Sequence, residues 1–305
     1  MKGRTRVRDA IARLGPEARA GLLGVAALLG GFWLLAAVLK ATPSGSPAPA
    51  APRDLPAIKA DGTLRVALDP TSGAPYCVRQ QDGTLAGFEP DLARAVGRTL
   101  GLTVAFEEVP WRDARRVVVE GRADLAWNAF EVRDGAGIRF SKPYYTASQA
   151  ILVPTASSVF ELEGLAGRKV GATEGSVAEA ILRRLHPPAR VVAFPDTEGP
   201  LRALEGRQLD AVLTEAAMGR AWLKAHGRGF RVVGRPILPR PYGVAVRAAS
   251  PKLREAVDQA LVGLKRSGEW RRILESHGVW EPLQAPGKAV PAATGPLPAA
   301  PTPPN

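Results

Sequence analysis

The chain has 305 residues and a formal net charge of +12, which is length enough for two domains of ordinary size. Six of its basic residues, Lys2, Arg4, Arg6, Arg8, Arg13 and Arg19, fall in the first twenty positions, and the others are scattered without interleaved aromatics. That distribution argues against a nucleic-acid partner, and the single cysteine, Cys77, excludes an intrachain disulfide and is expected to be a small buried hydrophobe.

Residues 1–20 form a basic tail, followed by an uncharged apolar run from Gly21 to Leu39 that ends at Lys40. At about 1.5 Å per residue, a helix over 21–39 is as long as a bilayer core is thick. The basic flank is expected to stay in the cytoplasm, which places everything after Lys40 outside. A cleaved secretory signal is the competing reading. Signal cores usually run about 7–15 residues and end at a small-x-small site. Here the run is longer and Leu39-Lys40-Ala41 is a poor site, although Ser46-Pro47-Ala48 keeps cleavage open. A retained transmembrane anchor is the expectation, and both readings make the globular part extracytoplasmic. Residues 40–59 read as a Pro/Ala-rich linker and 282–305 as a disordered Pro/Ala-rich tail, because neither has the large apolar groups that offset the entropy of ordering.

After the turn signal Asp61-Gly62-Thr63, the apolar run Leu64 to Leu68 predicts a buried strand with Asp69 at its C-terminal edge. Gln81 to Phe88 predicts a hairpin turning at Asp82-Gly83. It leads into a helix from Pro90, with Leu92, Val96 and Leu100 on one face and Gly101 as its stop. A strand Thr103 to Phe106 and a helix from Trp111 to Gly121 come next, then a strand Asp124 to Trp127 and an irregular segment to Phe140. Strands and helices alternating over short connections predict an α/β fold with mostly parallel sheets.

The plan is then repeated. Lys169 to Thr173 predicts a second opening strand, and Glu205-Gly206-Arg207 followed by Asp210 repeats Glu120-Gly121-Arg122 followed by Asp124. Two such lobes make a cleft, and open α/β sheets bind ligands at the C-terminal ends of their strands. Gly175-Ser176-Val177-Ala178-Glu179 carries a glycine turn and a Ser-x-x-Glu capping box. A strand feeding a helix in this way aims N–H groups at the cleft and suits a ligand carboxylate; an ordinary cap with nothing bound is the equal alternative.

Taken in order, these strings resemble the extracytoplasmic solute-binding proteins of amino-acid ABC importers, family 3, with the type II periplasmic-binding-protein fold. Those that carry the resemblance are Gly62 to Asp69, Asp82 to Ala93, Trp111 before a helix ending Glu-Gly-Arg-x-Asp, Phe140-Ser141-Lys142-Pro143-Tyr144-Tyr145, Val170 to Ser176 and Leu209 to Glu215. The resemblance implies two lobes joined by two crossover strands, the first over 60–152 plus 243–281 and the second over 153–242. Tyr242 to Val246 matches the returning crossover, and Ser250-Pro251 opens a helix with Val257, Leu261 and Leu264 on one face.

The resemblance also implies site residues. Asp69 and Tyr76 fall at the rim of the first lobe, and Trp111 matches the aromatic that packs on the ligand. Asn128 falls where the family often has Ser or Gly. Gly175, Ser176 and Val177 match the helix start that holds a carboxylate, and Glu215 replaces an Asp that pairs with the ligand ammonium. The family's Thr-x-x-Arg clamp is absent; Glu131 to Arg139 stands in its place, with Arg133 as the candidate clamp, since a guanidinium holds a carboxylate bidentately. Trp127 either walls the pocket or fills the core, the core being favoured.

The function these residues imply is capture of an amino acid or related small polar solute, without cofactor or metal, for delivery to an ABC permease. A tethered ligand sensor is a second reading. A cyclohexadienyl-dehydratase-like enzyme, drawing a general acid from Glu131, Glu174 or Glu215, is a third. His186, His226 and His277 show no metal-ligand spacing.

Overall fold

The computed structural model describes residues 53–185, 189–227 and 229–285. The predicted span 21–39 lies outside them, and among the described residues no helix is long and apolar enough to cross a membrane.

Helix α1 (Leu55–Asp61) is capped by the Asp54 carboxylate, which accepts from Leu55 N, and is ended by Gly62 in the left-handed region. Residues 55–59, expected as linker, therefore belong to the folded body. Ile58 is fully buried, and the same Asp54 carboxylate accepts from Leu253 N at 2.8 Å, tying α1 to a helix near the C-terminus.

Strand β1 (Thr63–Leu68) is followed by a small antiparallel hairpin, β2 (Val78–Arg79) and β3 (Leu85–Ala86). At Gly87 any side chain would collide with the backbone of Tyr76, so the hairpin can close on the start of α2 (Phe88–Leu100) only because that position has no Cβ. The hairpin, α2 and its glycine stop agree with the sequence reading. β4 (Thr103–Glu108), α3 (Trp111–Glu120), β5 (Leu125–Ala126) and β6 (Ile138–Phe140) complete the outward pass. The segment expected to be irregular up to Phe140 thus ends in a strand, because Arg139 and Phe140 pair with the returning chain.

β7 (Tyr145–Pro154) leaves the first lobe and runs into the second. There it meets β8 (Lys169–Thr173), α4 (Val177–Leu185), β9 (Arg190–Phe194), α5 (Gly199–Glu205), β10 (Ala211–Glu215) and α6 (Ala216–His226). β11 (Phe230–Tyr242) returns antiparallel to β7, from Phe230 opposite Pro154 to Tyr242 opposite Tyr145. β12 (Ala245–Arg247), α7 (Pro251–Ser267) and α8 (Glu269–Ser276) then close the first lobe.

The first sheet has the order β4-β1-β5-β12-β6 and the second β11-β7-β10-β8-β9. β1 is parallel to β4 and β5, and β8 to β9 and β10; the antiparallel members are the crossing and returning strands. β7 is buried on both faces over nine of its ten residues, as a strand through the joint between two lobes must be.

The first lobe's main core gathers Leu64, Val66 and Leu68 with the inner faces of α2, α7 and α8. Cys77 lies in it, fully buried, and burial pushes its thiol up to about 12. Trp127 is also fully buried there, edge-on to Tyr144 at 5.3 Å. Residues 282–284, expected as tail, form a short 3₁₀ turn that is pinned to the crossing strand: Thr146 N donates to Gln284 Oε1 at 2.9 Å and Gln284 Nε2 to Thr146 O at 2.7 Å. One amide side chain thus satisfies both backbone polar groups of a buried residue and ties the turn to the strand.

Candidate functional site

The chain at and after the C-terminal ends of β5, β8 and β10 opens on a cavity of about 570 Å³. Trp111, Arg115, Ala129, Phe130, Glu131 and Arg133 line it from the first lobe. Ser176, Val177, Thr197 and Glu215 are among the residues that line it from the second, and Gln149, Arg240 and Tyr242 from the crossing strands.

Of the residues expected at the site, Trp111, Arg133, Ser176, Val177 and Glu215 reach the cavity wall. Asp69 and Asn128 do not; they lie behind it. Asp69 Oδ2 accepts from Trp111 N at 2.6 Å, and its Oδ1 accepts from Thr71 N and Oγ1. Asp69 N donates to Asn128 Oδ1 at 2.7 Å, and Trp111 Nε1 donates to Asn128 O at 2.9 Å. The three residues form a closed set of hydrogen bonds in which the aspartate caps α3 and the indole is held at both ends. Asp69 and Asn128 therefore help to position the aromatic wall from outside the cavity lining, with most of their polar atoms bonded to the chain around them. Of the three residues' buried side-chain polar atoms, Asn128 Nδ2 has no partner among the described residues.

Tyr76, expected at the rim, is buried against Phe88 and Tyr242, with ring centroids 5.0 and 6.5 Å away. Its hydroxyl donates to Glu215 Oε1, so a first-lobe side chain reaches the acid at the end of β10 in the second. Burial raises the Glu215 pKa above the usual carboxylate range, opposed by the Tyr76 hydrogen bond, the Arg240 charge and Tyr242.

The capping box forms one residue wider than expected. Glu179 N donates to Ser176 Oγ at 3.2 Å, while the Glu179 carboxylate accepts from Gly175 N at 2.6 Å. Gly175, at φ +68, makes the turn but stays off the wall. Among the described residues no acceptor takes the N–H of Val177 or Ala178, and both residues line the cavity at the positive end of α4.

Arg133 is three-quarters exposed and 3.9 Å from Glu131. On the other side of Glu131, at 3.5 Å, is Arg240, whose side chain is only 17% exposed. Sequence reasoning missed Arg240, Tyr242 and Arg115. A signal for the first two was present, since residues two apart on a strand share a face and Tyr242 was already read as part of the returning crossover. Arg115 stands one helical turn after Trp111 and reaches the same wall.

In the wall itself, Ala129 holds φ +49. Its N–H donates to Glu89 Oε1 at 2.7 Å, and Tyr144 donates its hydroxyl to the same oxygen. Glu89 is fully buried, its other oxygen has no partner among the described residues, and burial raises its pKa to about 7.

Two α/β lobes joined by paired crossing strands, with charged groups from both facing one cavity, define a ligand-capture protein built around a hinge. The sequence profile of the bacterial extracellular solute-binding proteins, family 3, matches residues 64–279, and the chain belongs to that family. It is 25% identical over 219 residues to the probable histidine-binding protein of Neisseria gonorrhoeae, covering 70% of this chain and 82% of that one. It is likewise 25% identical to the ABC transporter glutamine-binding protein of Bacillus subtilis over 63% of this chain and 72% of the relative. Among solved structures, an ancestral cationic amino acid solute-binding protein superposes with a TM-score of 0.67 at 25% identity, over 73% of this chain and 99% of that one. An ancestral arginine-binding protein bound to arginine does so at 0.53 and 30% identity, over 70% and 97%.

Proposed function

We propose that the protein is a membrane-anchored receptor that captures an amino acid or a related small polar zwitterion outside the cytoplasm and presents its closed form to an ABC permease. The observation that carries this reading is the cavity itself, which is lined together by a carboxylate of the second lobe, Glu215, by guanidinium groups of the first lobe and the crossing strands, Arg133 and Arg240, and by the aromatic side chain of Trp111. Glu215 takes the ligand ammonium. The α-carboxylate is taken by Arg133 and Arg240 with the N–H groups of Val177 and Ala178. The names of the relatives, which specify histidine and glutamine, support an amino acid. Closing the lobes removes water and strengthens each of these charge pairs.

The experiment is a thermal-shift screen of the full chain in detergent micelles against amino acids, amines and organic acids, followed by titration calorimetry. Saturation at 100 times Kd is expected to add about 2.7 kcal/mol of stability. With a ligand in hand, Arg133→Ala and Glu215→Ala should each weaken binding at least about thirtyfold, because each strands a desolvated charge. If both variants bind normally, the zwitterion reading fails. Anchoring rests on the uncharged run 21–39 and the basic residues before it. Membrane fractionation tests it, and a mature N-terminus between Ala41 and Ala51 would defeat it.

A further inference from the structure

We propose that the cavity selects a ligand with a second acidic group and that Arg115 is the residue that takes that group; the proposal rests on reading the cavity as an amino-acid site. Arg115 lies on α3, and its guanidinium carbon is 5.8 Å from the centroid of the Trp111 ring and 5.4 Å from that of Phe130. Those two rings pack on each other at 5.3 Å. The planar cation is thus held by two aromatic faces at the cavity wall, an arrangement that fixes its position without using its N–H donors.

No other partner for it appears among the described residues: Arg115 makes no ion pair or hydrogen bond there, only these ring contacts. Its chain neighbour Arg116 shows the usual alternative, bonding to Asp113 at 3.1 Å and Glu120 at 2.8 Å along the same helix. The other two arginines of the cavity also have an acid. Glu131 lies 3.9 Å from Arg133 and 3.5 Å from Arg240.

Charge balance leads to the same conclusion. The wall carries the guanidinium groups of Arg115, Arg133 and Arg240 against the carboxylates of Glu131 and Glu215, and Glu215 already accepts the Tyr76 hydroxyl. A neutral zwitterion leaves the positive charge of Arg115 uncompensated when the lobes close, and a basic amino acid adds to it. A ligand with one extra carboxylate cancels it, and a guanidinium meets a carboxylate through two parallel hydrogen bonds. The cavity is accordingly built for an acidic amino acid, in contrast to the arginine-bound and cationic-amino-acid structures it superposes on.

The test is titration calorimetry of the full chain in micelles with L-glutamate, L-aspartate, L-glutamine and L-arginine. Glutamate or aspartate should bind at least about tenfold more tightly than glutamine, the scale of one charge-assisted contact, with arginine weakest. Arg115→Gln should lower affinity for the acidic ligand at least about tenfold. The loss for glutamine, which lacks the second carboxylate, should be at least about threefold smaller, and the unliganded protein should still unfold cooperatively. Equal binding of glutamate and glutamine by the unmodified protein, or equal losses for both in Arg115→Gln, overturns the assignment while leaving the amino-acid reading intact. If none of the four ligands binds, both readings fall together.

Discussion

In the first lobe, Glu120-Gly121-Arg122-Ala123-Asp124 leads from α3 into β5; in the second, Glu205-Gly206-Arg207-Gln208-Leu209-Asp210 leads from α5 into β10. Both aspartates make the same two-way clamp on the neighbouring strand. Asp124 N donates to Arg65 O and its carboxylate accepts from Arg65 N, both at 2.9 Å. Asp210 N donates to Lys169 O at 2.9 Å and its carboxylate accepts from Lys169 N at 2.7 Å. The surroundings differ. Asp124 is buried and also pairs with the guanidinium of Arg65 at 2.9 Å and of Arg53 at 3.6 Å, whereas Asp210 is exposed. The turn before it differs as well: Gly121 takes the left-handed position in the first lobe, at φ +80, but with one residue more in the second lobe that position falls on Arg207, at φ +56. A short motif can thus recur because it solves one backbone problem, while burial sets how much each copy contributes to stability.

The largest test of this comparison sets Asp124→Ala against Asp210→Ala in urea unfolding. Removing the buried carboxylate leaves Arg65 without its acid, although Arg53 keeps Asp61 at 2.8 Å, and should cost about 3 kcal/mol. Removing the exposed one should cost at most about 1 kcal/mol. Equal costs would mean that the clamp, not burial, carries the energy.

A second contrast concerns acids behind the cavity wall, where the first lobe holds Glu89. Its pKa is raised from the ordinary 4.5 to about 7, chiefly by burial, so the folded protein keeps a proton that the unfolded chain releases. The stability this contributes is complete below the unfolded value and is lost as pH rises through about 7, a change of up to about 3 kcal/mol. Glu89→Gln keeps an acceptor for Ala129 N and the Tyr144 hydroxyl and does not ionise. The difference in unfolding free energy between the two proteins should therefore vary with pH across that window, and a flat difference would show that Glu89 is already charged in the fold.

The smallest expected effect is at Arg207. Glycine there relieves a left-handed backbone and should raise stability by up to about 1 kcal/mol, which thermal unfolding would detect. The same exchange at Arg122, in the first lobe, has no such strain to relieve and should be neutral or slightly destabilising.

Much of the fold was legible in the chain. The alternation of apolar runs, the glycine stops at Gly101 and Gly121, the Asp82-Gly83 turn and the two Asp motifs are local signals, and each was matched by an element. So were the burial of Cys77 and Trp127. What local signals missed was short or distant: β6, whose three residues become a strand only by pairing with β12, and the 3₁₀ turn at 282–284, ordered by its own Gln284 bonding to Thr146 on β7, far back along the chain. At the site, the resemblance points to Trp111, Arg133, Ser176, Val177 and Glu215, which line the cavity, and equally to Asp69 and Asn128, which lie outside its lining, because a polar residue at a strand end looks the same in sequence whether it faces the cavity or its own backbone.

The sequence by itself determined which segments become strands and helices, that one plan is built twice, and that the C-terminal strand ends carry charge, since all of these follow from periodicity, caps and turns within about a dozen residues. Only the tertiary structure decided which charges meet. Arg240 joins Glu131 because β11 returns beside β7, Tyr76 reaches Glu215 because the lobes face each other, and Arg115 finds two aromatic rings and, among the described residues, no acid. Those pairings are set by chain crossings tens of residues apart, and the free energy of a charge depends on which neighbours those crossings bring to it.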